Sequence, residues 1–145
     1  MKLSTIRKKL SKLPAWLFTI ITIIAILWLT LAPKPLGENP PTLFPGADKI
    51  VHAIMFGGMA SMILLDIQRK KGWRPIGISI AFYVAVSSAL FGVIIEYIQK
   101  AMNIGRGYET ADILADSIGA FLFPLCWWLF QRYWIPNFPD NKENR

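Results

Sequence analysis

Residues 75–98 read PIGISIAFYVAVSSALFGVIIEYI and carry one formally charged side chain, Glu96, near their end. A helix needs about 20 consecutive apolar residues to cross the hydrocarbon core of a bilayer, and this run is long enough. A helix of a soluble bundle would instead place a polar residue at every turn. The run therefore predicts a membrane-spanning helix that ends in an acidic residue.

Three further apolar runs accompany this one, over residues 14–32, 50–67 and 111–133. Of the 145 residues, 54% are hydrophobic and 17% are charged, against roughly 25% charged in a soluble domain. We therefore predict an all-α integral membrane bundle of four transmembrane helices. A basic leader (1–13) precedes the membrane domain (14–135), and a polar tail (136–145) follows it. The first run also resembles a signal peptide, but it exceeds the apolar length of about 7–15 residues typical of one, so we predict an uncleaved helix.

The basic residues predict an orientation. Most of the 16 lysines and arginines lie in the leader, in the segment RKKGWR (69–74) and in the tail. By the positive-inside rule both termini are then cytoplasmic, and the loops near 33–47 and 100–110 face outward. The net charge of +7 is explained by topology and lipid contact, so nucleic-acid binding is not predicted.

In this orientation the ionisable residues of three helices share the outer membrane level. Asp48 and His52 are four residues apart, as are Asp112 and Asp116, so the members of each pair lie on one helix face. Burying a charge in lipid costs roughly 2.5–3.5 kcal/mol even on lenient scales, so these faces should turn toward one another. The predicted cluster comprises Asp48, Lys49, His52, Glu96, Gln99, Lys100, Arg106, Glu109, Asp112 and Asp116.

Depth along each helix divides this cluster. His52, Glu96 and Asp116 lie about one turn further in than their neighbours and should form a buried floor. The other charged residues, Asp48, Lys49, Arg106 and Asp112, should form the rim. Because carboxylates packed this closely cannot all ionise, we expect that at least one is protonated or that a cation lies among them.

The order of these motifs, DKIVH (48–52), EYIQ (96–99) and GRGYETADILADSIGA (105–120), resembles the VanZ-like family of membrane proteins. The resemblance spans about residues 47–120. It implies a bacterial inner-membrane protein with an envelope role, similar to a teicoplanin-resistance factor. Asp116 stands where the family pattern has asparagine. The positions that match the family motifs are Asp48, Lys49, His52, Glu96, Gln99, Arg106 and Asp112, with Gly119 as a packing position.

Two functions remain open at this stage. In one, Arg106 and Lys49 bind an anionic group, such as a lipid phosphate or the headgroup of a lipid-linked cell-wall precursor. In the other, the protein is a membrane-embedded enzyme on a lipid-linked substrate, with His52, Glu96 and Asp116 as catalytic residues. A buried ion-pair network without a ligand, and a proton-relaying transporter, are the remaining alternatives.

Cofactors and partners follow from the same residues. No cofactor is expected, although His52 with two or three carboxylates leaves a divalent cation open. The single cysteine, Cys126, excludes an intrachain disulfide. The expected partners are membrane lipids and a lipid-linked precursor, and the sequence does not indicate an oligomeric state.

Overall fold

The computed structural model describes residues 3–33, 35, 37, 44–102 and 109–135. Within these residues the chain forms α-helices and one short 3₁₀ helix, and it contains no strand, as the all-α prediction requires. The helices are α1 (Leu3–Leu10), α2 (Leu17–Leu31), α3 (Ala47–Lys70), α4 (Ile78–Met102) and α5 (Thr110–Phe130), followed by the 3₁₀ helix Gln131–Tyr133.

Among the described residues, three helices are long and apolar enough to cross a membrane. They are α3, α4 and the helical stretch Thr110–Tyr133 that begins with α5. Helix α2 has 15 residues, which at about 1.5 Å per residue cover about 22 Å, less than the roughly 30 Å of a hydrocarbon core. A bundle with membrane-length helices is therefore observed, while a fourth span and the cytoplasmic location of both termini stay predictions.

Helix α3 is the centre of the bundle and contacts α2, α4 and α5. Its contact with α5 is the most extensive, because two glycines let the helices approach closely. A Cβ built on Gly57 would lie 2.5 Å from the Phe123 ring. On α5, a Cβ built on Gly119 would lie 2.6 Å from the carbonyl carbon of Ala53. The close packing that the sequence suggested for Gly119 is thus made against the backbone of α3.

Helix α2 has one protein-facing side and one apolar exposed side. Ile26 is 2% exposed and packs with Phe56, Met59 and Ile95 in the hydrophobic core. The opposite side of α2 is exposed and apolar, as expected of a surface that contacts lipid. This side carries Ile20, Ile21, Ile24 and Trp28. The helix therefore contributes to the core of the bundle as well as to its surface.

The end of α3 that lies away from the predicted site has a polar anchor of its own. The buried Arg69 donates to Asp66 Oδ1 at 2.5 Å and to the backbone carbonyls of Leu10 and Leu13. Thr19 donates its backbone N–H and its hydroxyl to Asp66 Oδ2, both at 2.9 Å. These bonds attach the start of α2 and the segment after α1 to α3.

Candidate functional site

His52 and Asp116 form the innermost contact of the predicted cluster. His52 lies in the second turn of α3 and Asp116 in the second turn of α5, so the two side chains meet where these helices pack together. His52 Nδ1 lies 2.9 Å from Asp116 Oδ1, and the side chains are 15% and 1% exposed. With Nδ1 donating to the carboxylate, the imidazole presents Nε2 to the rest of the cluster.

The small size of Gly92 on α4 makes room for this contact. A Cβ on Gly92 would lie 2.8 Å from Asp116 Oδ2 and 2.9 Å from Asp116 Cβ. A larger residue would therefore displace the carboxylate from its position beside His52. No sequence motif links Gly92 to the site.

Glu96 completes the buried part of the cluster. The residue is fully buried, and its Oε2 accepts a 3.3 Å hydrogen bond from the backbone N–H of Glu109. Its Oε1 has no hydrogen-bond partner among the residues that the structure describes, and neither has Asp116 Oδ2. Buried carboxylate oxygens normally have a donor or a cation beside them, so these two atoms point to a missing partner.

Lys49 lies at the more exposed level of the cluster, in the first turn of α3. Its Nζ is 2.7 Å from Asp48 Oδ2 and 2.6 Å from Asp112 Oδ1, and it also contacts Glu109 Oε2. The side chains of Asp48 and Glu109 are more than half exposed, whereas that of Asp112 is 13% exposed. The positive charge of Lys49 is thus already compensated by three carboxylates.

Asp112 connects the two levels. Its Oδ1 faces Lys49, and its Oδ2 lies 3.9 Å from His52 Nε2. The distance to His52 is too long for a hydrogen bond, but it places a carboxylate oxygen opposite the second imidazole nitrogen. One donor atom from each of His52, Glu96 and Asp112 lies within 4.8 Å of the other two.

The structure brings together six of the sequence-predicted site residues, Asp48, Lys49, His52, Glu96, Asp112 and Asp116. Gln99 is buried but donates from Nε2 to the Thr30 carbonyl of α2, at 2.9 Å. Arg106 lies outside the described residues. Glu109, which the sequence placed at this level without a matching motif position, contacts both Lys49 and Glu96.

The arrangement is a polar cluster between membrane-length helices, with an acid and an imidazole in direct contact in its buried part. The family model of VanZ/LLP1 matches residues 3–131, which is most of the chain. The chain belongs to the VanZ/LLP1 family. This confirms the resemblance carried by the three motifs, and it extends the match through α1 and α2. No curated protein and no solved structure matches the chain.

Proposed function

We propose that this VanZ-like membrane protein binds the headgroup of an anionic lipid or lipid-linked cell-wall precursor in the pocket around His52. The observation that carries the proposal is the burial of Glu96 and Asp116 between helices of membrane length. Ionisable groups at such positions are costly and usually serve a ligand or a reaction.

The gradient of exposure supports a headgroup as the ligand. The side chains of Asp48 and Glu109 are 59% and 56% exposed, whereas Glu96 and Asp116 are fully buried. The polar cluster therefore extends from exposed acids at the surface to buried acids in the interior. A lipid would place its acyl chain along the exposed apolar helix surfaces and its phosphate at the exposed end of this cluster.

The proposal includes a location. We place the protein in the bacterial plasma membrane, with both termini in the cytoplasm and the pocket open to the periplasm or the outside. The distribution of lysine and arginine supports this orientation. Membership of the VanZ/LLP1 family supports a role in the cell envelope, including protection against teicoplanin-like glycopeptides that act on lipid-linked precursors.

A second candidate function is favoured by the contact between His52 and Asp116. A carboxylate that fixes Nδ1–H leaves Nε2 free to take a proton from water or a substrate hydroxyl. Glu96, if protonated, is close enough to act as the acid. The same pocket would then hydrolyse or transfer the headgroup that it binds.

The test measures binding and turnover on the same preparations. Full-length protein in nanodiscs should bind an undecaprenyl phosphate or phosphatidylglycerol in preference to zwitterionic phosphatidylcholine. We expect His52→Gln to weaken this preference at least about tenfold, one charged hydrogen bond being worth roughly 1.5–3 kcal/mol. Ser61→Ala is the control, because its hydroxyl donates to the Gly57 carbonyl of its own helix.

Each outcome decides between the candidates. Unchanged lipid preference in His52→Gln would refute the headgroup proposal. Release of phosphate or of a modified lipid by the native protein, lost in His52→Gln, would establish the enzyme instead of a simple binding protein.

A further inference from the structure

His52, Glu96 and Asp112 present one nitrogen and two carboxylate groups to a common point. His52 Nε2 lies 3.9 Å from Asp112 Oδ2, and one donor atom from each of the three residues lies within 4.8 Å of the other two. Three ligands around a metal ion at about 2.0–2.1 Å are about 3.3 Å apart in a tetrahedral site. Small side-chain rotations would therefore bring these atoms to bonding distance.

The other nitrogen of His52 has the partner that a metal-binding histidine requires. Metal-ligating histidines almost always donate their second ring N–H to a carboxylate or carbonyl, which fixes the tautomer and the ring orientation. Asp116 Oδ1 accepts from His52 Nδ1 at 2.9 Å, and Asp116 is itself held against Gly92. The contact with Asp116 thus fixes the orientation of Nε2 before any ligand arrives.

An independent observation points to a missing cation. Glu96, a member of this trio, is fully buried. Its Oε1 has no hydrogen-bond partner among the described residues. Leaving a buried acceptor unsatisfied costs about 1–3 kcal/mol, and more for a charged group. Lys49 contacts Asp112 at Oδ1, whereas the oxygen that faces His52 Nε2 is Oδ2.

We infer that His52, Glu96 and Asp112 form a binding site for a divalent transition-metal ion, with Zn²⁺ as the best fit, and that Asp116 is the positioning residue for His52. An imidazole donor favours Zn²⁺ over Mg²⁺ or Ca²⁺, which prefer oxygen ligands. Three protein ligands leave a coordination position open for a further oxygen.

A second group of acids is a poorer site. Asp48, Glu109 and Asp112 also place donor atoms within 4.8 Å of one another. However, Lys49 Nζ already contacts all three carboxylates, and two of the three side chains are exposed. The cation of this outer group is therefore the lysine, and the group provides the matched control for the inner one.

A bound metal ion would explain how a pocket rich in carboxylates accepts an anionic headgroup. Phosphate oxygens would be repelled by Glu96, Asp112 and Asp116, and the charge of Lys49 is already compensated. A divalent ion would supply the positive charge at the base of the pocket. This link to the headgroup rests on the proposed function, whereas the metal site rests on the geometry alone.

The experiment uses the full chain, stripped with chelator and titrated with Zn²⁺ in detergent micelles without added lipid. We expect one tightly bound Zn²⁺ per chain, measured by competition with a chromophoric chelator and by elemental analysis. His52→Gln and Glu96→Gln should abolish this binding, and Asp116→Asn should weaken it about 10–100-fold, as loss of an outer-shell partner does. Glu109→Gln and Asp48→Asn should leave it unchanged.

Two results would overturn the inference. One is the absence of stoichiometric binding by native protein, and the other is binding that depends on Glu109 and Asp48 but not on His52. Circular dichroism and size-exclusion profiles identify variants that fail to fold. If the variants fail to fold, the ligands are tested instead by Co²⁺ spectra of the native protein. These spectra must show a low-symmetry site with nitrogen ligation. If the protein binds the metal ion but shows no lipid preference, only the proposed function is refuted. If the lipid preference persists in chelator-stripped protein, only the role of the metal ion in headgroup binding is refuted.

Discussion

Gly119 brings the backbone of α5 against the backbone of α3. A Cβ at this position would meet the Ala53 carbonyl group, which, unlike a flexible side chain, cannot rotate away. We predict that Gly119→Ala lowers the free energy of unfolding by about 1–3 kcal/mol or more, because the two helices must separate to accept the methyl group. Unfolding by SDS titration, followed by circular dichroism, measures this loss.

Gly58 offers a matched control within α3. A Cβ there would meet nothing within 4 Å, and alanine is about 0.8–1.0 kcal/mol more favourable than glycine in a helix. Gly58→Ala should therefore be neutral or stabilising. If both variants unfold alike, α3 and α5 do not cross at Gly119 as described.

For single residues, the sequence predicts which side chains share a helix face but not which side chains of other helices they contact. The spacing of Asp112 and Asp116 indicates one face of a helix, yet nothing in it shows that Asp116 pairs with His52. Gln99 illustrates the limit. Three residues from Glu96, it was predicted to share the site, but α4 contacts both α2 and α5, and Gln99 reaches the Thr30 carbonyl of α2 instead.

The apolar runs of the sequence predict the long helices, but they do not predict where these helices begin and end. The run at 50–67 predicts a span that the structure extends to Ala47–Lys70. The added turns carry Asp48, Lys49 and Arg69, whose polarity lowers the hydropathy signal while their backbone stays helical. Helix α1 gives no apolar run at all. Its last residue, Leu10, and the following Leu13 accept hydrogen bonds from Arg69, more than fifty residues further along the chain.

The ion pair of Asp66 and Arg69 should stabilise the contact of α3 with the segment between α1 and α2. Arg69→Met should destabilise the protein by about 3–5 kcal/mol, because it leaves the buried Asp66 carboxylate without its cation. It also removes the donors to Leu10 and Leu13, so the segment between α1 and α2 should become sensitive to protease in detergent. Thermal unfolding and limited proteolysis measure the two effects.

Two further variants control this result. Lys71→Met removes an exposed charge two residues away and should change neither readout. The double variant Asp66→Asn with Arg69→Met removes both charges, so it should recover part of the lost stability. An Arg69→Met protein as stable as the Lys71→Met protein would show that the pair does not hold these helices together.

For the whole molecule, family membership and three membrane-length helices establish a VanZ-like membrane protein, but the number of crossings depends on α2. The apolar run at 14–32 yields a helix of only 15 residues. Its start follows Trp16, which has a left-handed backbone, and its end precedes the extended Ala32. Ala32 stands before Pro33, and a residue before proline disfavours helical backbone. Composition alone did not reveal this shortening.

Cysteine labelling determines the number of membrane crossings and the orientation of the chain. In a Cys126→Ser background, which removes the exposed free thiol, single cysteines replace Ser4, Asp48 or Lys71, all of them exposed. If α2 crosses the membrane, an impermeant maleimide should label Asp48→Cys in intact cells, and label Ser4→Cys and Lys71→Cys only after permeabilisation. Labelling of Ser4→Cys together with Asp48→Cys would show three crossings, with α2 lying against the bundle. Labelling of Lys71→Cys alone in intact cells would reverse the orientation and place the His52 pocket at the cytoplasmic face, where a lipid-linked precursor would have to be met before its export.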